Sequence, residues 1–290
     1  MPKLKLEKQK AVLRDRIGRF FANKARERLR LLEALNTLKG FAGPAFLFGG
    51  VLRDLMLYGP SLAPRDVDVV VSTIDLKDVT AVFSENLTHT NRFGGLHLRI
   101  EGWHFDIWPL SRTWAFCEKF VVPITFESLP KTTFLNIEAV AARLDVENGQ
   151  YREIFSHGFF ESISSRTIEI NSEPNPYPAL CVLRSLMMAA RLEFAIGPKL
   201  ADYILTYSKE LGLEALMQTQ WEHYGRVVYQ RHHLKLWLAA VAKQLATSNR
   251  RRVKLPTHNR QLAFFYDGDV PTHLPLRAPR KRKLRGLAWR

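Results

Sequence analysis

Two aspartates, two positions apart, are the residues of this chain best suited to chemistry. Asp66 and Asp68 open the segment DVDVVV, whose apolar residues are typical of a short buried strand. Because alternate side chains of a strand point to the same face, the two carboxylates would project together. Carboxylate oxygens are the ligands that Mg²⁺ prefers, and a pair of Mg²⁺ ions can activate a hydroxyl and neutralise phosphate. An isolated Asp-x-Asp pair also occurs on solvated strands and turns, so its meaning depends on its neighbours.

A pair of glycines ends the preceding apolar run, FLF at 46–48. Gly49 and Gly50 would let the chain turn sharply and let a bulky ligand approach the main chain. The segment from Val51 to Tyr58 predicts a helix whose first N–H groups would face the same point, which suits a phosphate. Arg53 lies in the first turn, where its guanidinium could bind phosphate oxygens in a bidentate way. Beside two carboxylates, this set predicts a nucleoside triphosphate site.

A hairpin supplies a third acid. Residues 96–100 and 103–108 both alternate, and Glu101-Gly102 separates them. Two-metal nucleotidyl transfer commonly uses a third carboxylate from a neighbouring strand to hold the ion that activates the attacking hydroxyl. Asp106 fits this role, with an exposed hairpin acid as the alternative. His104 would share its face, where we expect it to pack or to support the site rather than to bind metal.

Helical patterns surround these predicted strands. Residues 7 to 38 predict one amphipathic helix that covers one side of the strand region, and residues 74 to 86 predict a helix capped by Ser72 or Thr73. From Tyr177 onward, the apolar spacing is that of several helices. Ordinary globular composition over 290 residues, 46% of them hydrophobic, predicts two domains with a sizeable core.

Both ends of the chain are basic, although its middle is not. The net charge is +15, of which residues 1–30 carry +8 and residues 250–290 carry +10, so the remainder carries −3. Such arms usually meet a polyanion, most often nucleic acid; generic solubility and weak attraction to a membrane surface are the alternatives. In the tail, Trp289 accompanies the basic residues. The RNA-binding candidates are Arg280, Lys281, Arg282, Lys283 and Arg285.

Little in the sequence points to a membrane or to an oxidising compartment. No apolar run approaches the roughly 18 residues of a membrane span, and the basic start MPKLKLEKQK has no apolar segment after it. Cys117 and Cys181 have no metal-ligand spacing. We therefore expect a cytoplasmic protein with no membrane partner.

The chain resembles the head and neck of class II CCA-adding enzymes and bacterial poly(A) polymerases, a branch of the polymerase-beta-like nucleotidyltransferases. The match spans roughly residues 45 to 215. The motifs that carry it are GGVLRD at 49–54, RDVDVV at 65–70, FGG at 93–95 and FDI at 105–107, with looser matches at 155–170 and 183–194.

The resemblance implies an α+β fold, in which a nucleotidyltransferase head with a small mixed β-sheet is followed by an α-helical neck. The predicted divisions are a basic N-terminal helix at 1–44, the catalytic head at 45–145, the helical neck at 146–248 and a basic, flexible tail at 249–290. Two Mg²⁺ ions would be held by Asp66, Asp68 and Asp106. The triphosphate of ATP or another NTP would be held by Gly49, Gly50 and Arg53. The implied activity is transfer of a nucleoside monophosphate to the 3′ end of an RNA, either a tRNA or a tRNA-like end.

Two departures from the family bear on that activity. The chain has Lys131-Thr132-Thr133-Phe134 where the family has an Arg-Arg-Asp run. It has Tyr177-Pro178-Ala179-Leu180-Cys181 where the family's neck helix begins with Glu-Asp and then an Arg that pair with the incoming base. These side chains cannot copy Watson–Crick edge contacts, so we expect transfer other than templated CCA synthesis. The alternatives are transfer to a protein or small-molecule hydroxyl, and a non-catalytic RNA-binding relative. The NTP, the RNA, the biological role and the oligomeric state stay open.

Overall fold

The computed structural model describes residues 2–23, 26–41, 43–61, 66–73, 75–91, 93–100, 102–144, 152–246 and 252–256. The chain divides into two compact units, Met1–Pro176 and Tyr177–Arg290. The first unit thus extends past residue 145, where we had expected the head to end, because a strand and a helix beyond that point belong to it. The five basic tail residues predicted to bind RNA lie outside the described residues, as does Arg65.

The first unit is built on a mixed seven-stranded sheet, so the α+β prediction is confirmed. The spatial order is β3-β4-β5-β2-β1-β6-β7. Strands β2 and β5 are parallel, whereas the other neighbouring pairs are antiparallel. The strands are β1 Ala45–Phe48, β2 Asp66–Val71, β3 Leu87–Thr90, β4 Leu96–Ile100, β5 Trp103–Pro109, β6 Val140–Arg143 and β7 Ile154–Ser156.

Helices bury one face of this sheet. The apolar residues of β2 and β5 on that face, such as Val67 and Phe105, are almost fully buried. They form one core with the helices on that side. The helices of the first unit are α1 Pro2–Ala22, α2 Arg26–Phe41, α3 Gly50–Tyr58, α4 Lys77–Val82, α5 Trp114–Cys117 and α6 Phe159–Ser165.

The N-terminal segment forms two helices, where the sequence predicts one. Both α1 and α2 pack apolar side chains into the main core, including Leu13 and Leu31. These two leucines are about five helical turns apart and so have the same helical phase, which is why the apolar spacing does not reveal the break. Leu29 of α2 is exposed, although it is one of the apolar residues of the predicted amphipathic helix.

The helix predicted from residue 74 is shorter than expected. It spans α4 alone, and a 3₁₀ turn, Ser84–Asn86, follows it. The helix begins after Leu76, which is its N-cap, so neither Ser72 nor Thr73 caps it. The Asp75 carboxylate accepts a hydrogen bond from the Lys77 main-chain N–H at 2.9 Å.

A second apolar cluster covers part of the opposite face. The segment that follows β5 folds over it through α5 and the 3₁₀ turns Leu110–Arg112 and Leu129–Thr132. Phe46, Phe48, Val70 and Ala141 from the sheet pack there against Leu110, Ala115, Phe116, Val121 and Leu129. A further 3₁₀ turn, Asn136–Glu138, leads into β6.

The described part of the second unit is largely helical, as predicted. Its helices are α7 Pro178–Leu192, α8 Pro198–Tyr224 and α9 Arg231–Ala246. Gly212 interrupts α8 with a φ of 77°. The short strands β8 Thr167–Ile168 and β9 Ala195–Ile196 belong to the first and second units respectively. Among the described helices, none combines the length and apolarity that a membrane span requires.

Candidate active site

The three predicted acids lie on neighbouring strands of the sheet. Asp66 and Asp68 belong to β2, and Asp106 belongs to β5, which runs parallel to β2. In this register, Asp68 lies opposite Asp106, and Asp66 lies opposite His104. Paired strands are about 4.8 Å apart, so the backbone brings the three carboxylates into one small area.

Strand alternation explains why the acids point away from the main core. On β2, Val67 and Val69 are fully buried, whereas Asp66 and Asp68 are half-buried. The acids therefore share the opposite face of the sheet. On that face, the second apolar cluster covers Val70, further along β2, and leaves the acidic end of the strand partly accessible.

The three carboxylates are not arranged around one metal position. Among the described residues, no group of three or more His, Cys, Asp or Glu side chains is arranged to hold a metal ion. The Asp106 carboxylate is hydrogen-bonded through Oδ1 to His97 Nδ1. The donor set nevertheless fits Mg²⁺ or Mn²⁺, because it consists of carboxylates on directly adjacent strand positions.

The two glycines form a sharp turn beside the acids. Phe48 lies opposite Asp68, so β1 ends at the acid-bearing part of β2. Gly49 then adopts φ 61° and ψ −114°, a conformation that favours glycine, and α3 begins at Gly50. The Gly49 N–H donates to the Val140 carbonyl at 3.0 Å, and the Gly49 carbonyl accepts from the Leu52 N–H at 3.1 Å. The start of α3 is thereby fixed near the carboxylates, where its N–H groups could bind phosphate.

Arg53 is buried instead of open to a ligand. Only 5% of its surface is exposed. Its Nε–H donates to Asp54 at 2.8 Å, and its Nη1–H donates to Glu138 at 3.0 Å. Its guanidinium also lies against Gly50, where an added Cβ would be 3.6 Å from Nη2. In this arrangement, Arg53 ties the start of α3 to the turn before β6, and its contact with phosphate stays a prediction.

The sequence interpretation missed a histidine beside the third acid. His97 on β4 lies opposite Asp106, and its ring stacks on His89 of β3 with centroids 4.0 Å apart and planes 9° apart. Burial and the neighbouring His97 lower the pKa of His89 below its ordinary value, while Asp106 acts in the opposite direction. The hairpin itself contained the signal, since a turn at Glu101-Gly102 puts His97 opposite Asp106.

Solved structures share this architecture. The Thermotoga maritima CCA-adding enzyme complexed with tRNA_CCA matches with a TM-score of 0.52 and 16% identity, over 79% of this chain and 53% of that chain. A tRNA nucleotidyltransferase complexed with a primer tRNA and an incoming ATP analog matches with a TM-score of 0.50 and 20% identity, over 70% of this chain and 59% of that one. The fold is that of the tRNA nucleotidyltransferases.

These matches confirm the fold that the family resemblance implied. A CCA-adding enzyme in complex with CTP gives a similar match, with a TM-score of 0.52 and 16% identity, over 79% of this chain and 54% of that chain. The chain therefore spans a little more than half the length of these enzymes. No family model matches the sequence, and no curated protein does. At these identities the likeness establishes the fold and not the activity.

Proposed function

We propose that this protein is a nucleotidyltransferase dependent on a divalent cation, which transfers a nucleoside monophosphate from an NTP to the 3′ end of an RNA. The observation that carries the proposal is the register of β2 and β5. It sets Asp68 opposite Asp106, with Asp66 on the same face and a Gly-Gly turn beside them. This combination of groups suits a phosphoryl reaction.

Asp66, Asp68 and Asp106 would hold the cations in this proposal. Bound Mg²⁺ would lower the pKa of the attacking hydroxyl and neutralise the charge of the leaving pyrophosphate. Gly49 and Gly50 would let the triphosphate approach the main chain and the first N–H groups of α3. The ion pairs of Arg53 would keep that turn rigid. Most of the catalytic effect would come from positioning and charge, as is usual for phosphoryl transfer.

RNA is the proposed acceptor for two reasons. The chain carries a net charge of +15, concentrated at its two ends, which favours a polyanion. Two of the enzymes with the same fold were solved with tRNA bound. A tRNA or a tRNA-like 3′ end is therefore the first acceptor to test, and ATP is the first nucleotide, together with the other three NTPs.

The start of α7 argues against templated CCA addition. Tyr177 precedes the helix, Pro178 is its first residue, and no side chain caps its N-terminus. The following Ala179, Leu180 and Cys181 offer no pair of donors and acceptors that matches the edge of cytosine or adenine. We therefore propose that the chain adds nucleotides without the amino-acid template of the CCA-adding enzymes.

A labelling experiment tests the proposal. The full chain is incubated with Mg²⁺, one α-³²P-labelled NTP at a time, and either total RNA or tRNA with and without its terminal CCA; the products are resolved on a denaturing gel. We expect labelled RNA with the wild-type chain, and a loss of at least about a hundredfold with the Asp66→Asn/Asp68→Asn double variant. Equal labelling by both chains would refute the assigned site, and no labelled RNA with any NTP would refute RNA as the acceptor.

The same reactions separate the alternatives. Label that survives nuclease and is removed by protease would identify a protein hydroxyl as the acceptor. Binding of NTP with Mg²⁺ but without any labelled product would identify a non-catalytic relative. Sequencing of the RNA 3′ ends after reaction with all four NTPs would identify the base and the number of additions.

A further inference from the structure

A row of polar side chains crosses three strands at the edge of the proposed site. Asp106 on β5 is hydrogen-bonded to His97 on β4, and His97 stacks on His89 of β3. In the described part of the chain, His97 provides the only hydrogen bond to the Asp106 side chain. Because β4 and β5 are antiparallel neighbours with these two residues paired, the sheet itself fixes the contact.

Asn91 continues this row into the turn between β3 and β4. Its Oδ1 accepts hydrogen bonds from the main-chain N–H groups of Phe93 and Gly95, each at 2.9 Å. Main-chain N–H groups can only donate, so the amide oxygen of Asn91 must face the turn and its Nδ2 must face away. That nitrogen lies 3.5 Å from His97 Nε2, which is longer than most protein hydrogen bonds.

The tautomer of His97 follows from this orientation. Asn91 Nδ2 has only hydrogens to offer, so a neutral His97 that pairs with it accepts at Nε2 and carries its ring proton on Nδ1. Nδ1–H then donates to Asp106 Oδ1, and the second carboxylate oxygen is left available for other ligands. The main chain of the Asn91–Gly95 turn thereby determines, through two side chains, how the carboxylate is held.

We propose that Asn91 and His97 form a positioning relay that holds the Asp106 carboxylate for cation binding. The inference rests on the proposed function insofar as Asp106 is a cation ligand. Both residues would act through Asp106 and not on the cation or the reacting atoms, so their proposed role is positioning. Partners that orient a ligating group typically change metal affinity by tenfold to a hundredfold when they are removed.

The affinity of the chain for Mn²⁺ tests the relay in the absence of RNA and nucleotide. The full chain is titrated with Mn²⁺, and free Mn²⁺ is followed by electron paramagnetic resonance. We expect His97→Ala to weaken binding by about tenfold. We expect His97→Asn to stay within about threefold of wild type, because the Asn amide N–H can replace Nδ1–H. His89→Ala removes a stacked ring but no hydrogen bond to the carboxylate, so it should bind as wild type does.

Gly95→Ala tests the relay from its other end. An added Cβ would come within 2.7 Å of Asn91 Nδ2 and 3.2 Å of Trp108 Cβ, so Asn91 would have to move. We expect Mn²⁺ binding to weaken as in His97→Ala, with an unchanged circular dichroism spectrum. Wild-type affinity in both variants would overturn the proposal, as would equal loss in His97→Ala and His97→Asn.

A nuclear magnetic resonance measurement gives a readout that needs neither metal nor catalysis. In the ¹⁵N-histidine-labelled full chain at pH 8, His97 should show a protonated Nδ1 and an unprotonated Nε2, assigned by the signal lost in His97→Asn. A proton on Nε2 would overturn the relay. Failure of the RNA-labelling assay alone would refute the proposed acceptor and leave these results standing. Absence of Mn²⁺ binding by the wild-type chain would refute Asp106 as a cation ligand and the relay with it.

Discussion

Asp68 and Asp106 are paired across the only two parallel neighbours of the main sheet, β2 and β5, within the described residues. Their positions in the sequence are far apart, yet the register sets their α-carbons side by side. In the proposed function, the negative charges of these two carboxylates would hold the cation. The charge of this pair is therefore the first feature to remove.

Asp106→Asn should abolish most of the transfer activity and leave the fold intact. Asn keeps the shape of the side chain but removes its charge, so we expect the rate to fall by at least about a hundredfold. The free energy of unfolding should change by less than about 0.5 kcal/mol, because the residue is partly exposed and lies outside the apolar cores. Single-turnover labelling and urea denaturation measure the two quantities. A large loss of stability would indicate a structural role instead.

Gly50→Ala should separate ligand binding from folding. Gly50 is the first residue of α3 and has no positive φ, and an added Cβ would meet Arg53 at an ordinary 3.6 Å. We therefore expect little change in stability but about tenfold weaker binding of ATP with Mg²⁺, since the methyl group would obstruct the approach of phosphate to the main chain. Fluorescence titration with a labelled ATP analogue measures the affinity.

Gly49→Ala is the contrasting variant. Gly49 has a φ of 61° combined with a ψ of −114°, which strains any residue with a Cβ. We expect a loss of about 1–3 kcal/mol in the free energy of unfolding. If Gly50→Ala bound nucleotide as tightly as wild type, the assignment of this turn to phosphate would be wrong.

Glu138→Ala should destabilise the first unit strongly. The Arg53 side chain is 6% exposed and that of Glu138 is 17% exposed, so loss of the carboxylate leaves a buried guanidinium that still contacts the Asp54 carboxylate. Removal of one partner from a buried ion pair typically costs about 3–5 kcal/mol, and we expect the lower end because Asp54 remains. Urea denaturation measures the change.

Glu153→Ala provides the matched control for that variant. Its ion pair with Arg143 has a similar length, 2.9 Å, but its side chains are 36% and 43% exposed. Exposed pairs contribute about 0–1 kcal/mol, so this variant should remain close to wild type. If Glu138→Ala and Glu153→Ala lowered the free energy of unfolding equally, burial would not be what makes the Arg53–Glu138 ion pair stabilising.

The second unit should lose stability in mild acid through His223. Burial, and secondarily the charge of Arg184, lower the pKa of His223 to about 4 from its ordinary value of 6.5. The folded state therefore binds fewer protons than the unfolded state between these values. The stabilisation from neutral His223 is fully present above about pH 6.5 and is lost as the pH falls toward 4. At pH 5 the loss in the free energy of unfolding is at most about 2 kcal/mol.

Thermal unfolding at pH 7.5 and pH 5 measures this effect by comparison with His223→Gln. Gln does not titrate, so the variant should lose less stability than wild type over the same interval. An identical pH dependence in the two chains would show that other groups cause the loss.

Local rules were sufficient for part of the site. The two-residue periodicity of a strand put Asp66 and Asp68 on one face, and the glycine pair marked the turn where β1 ends. The hairpin around Gly102 also fixes His97 opposite Asp106, because a short turn determines register. These relations depend on neighbours in the sequence, so the residues themselves carry them.

Only the tertiary structure decided which distant groups meet. Parallel strands need a long crossover, so nothing local specified that Asp68 would lie opposite Asp106. Arg53 was expected to face a ligand, but Glu138, 85 positions later, binds its guanidinium in the interior. A buried charge requires a partner, and the identity of that partner depends on how the strands between them pack. The break between α1 and α2 could not be predicted from the apolar spacing, because the buried residues of both helices follow one continuous helical periodicity and pack into the same core.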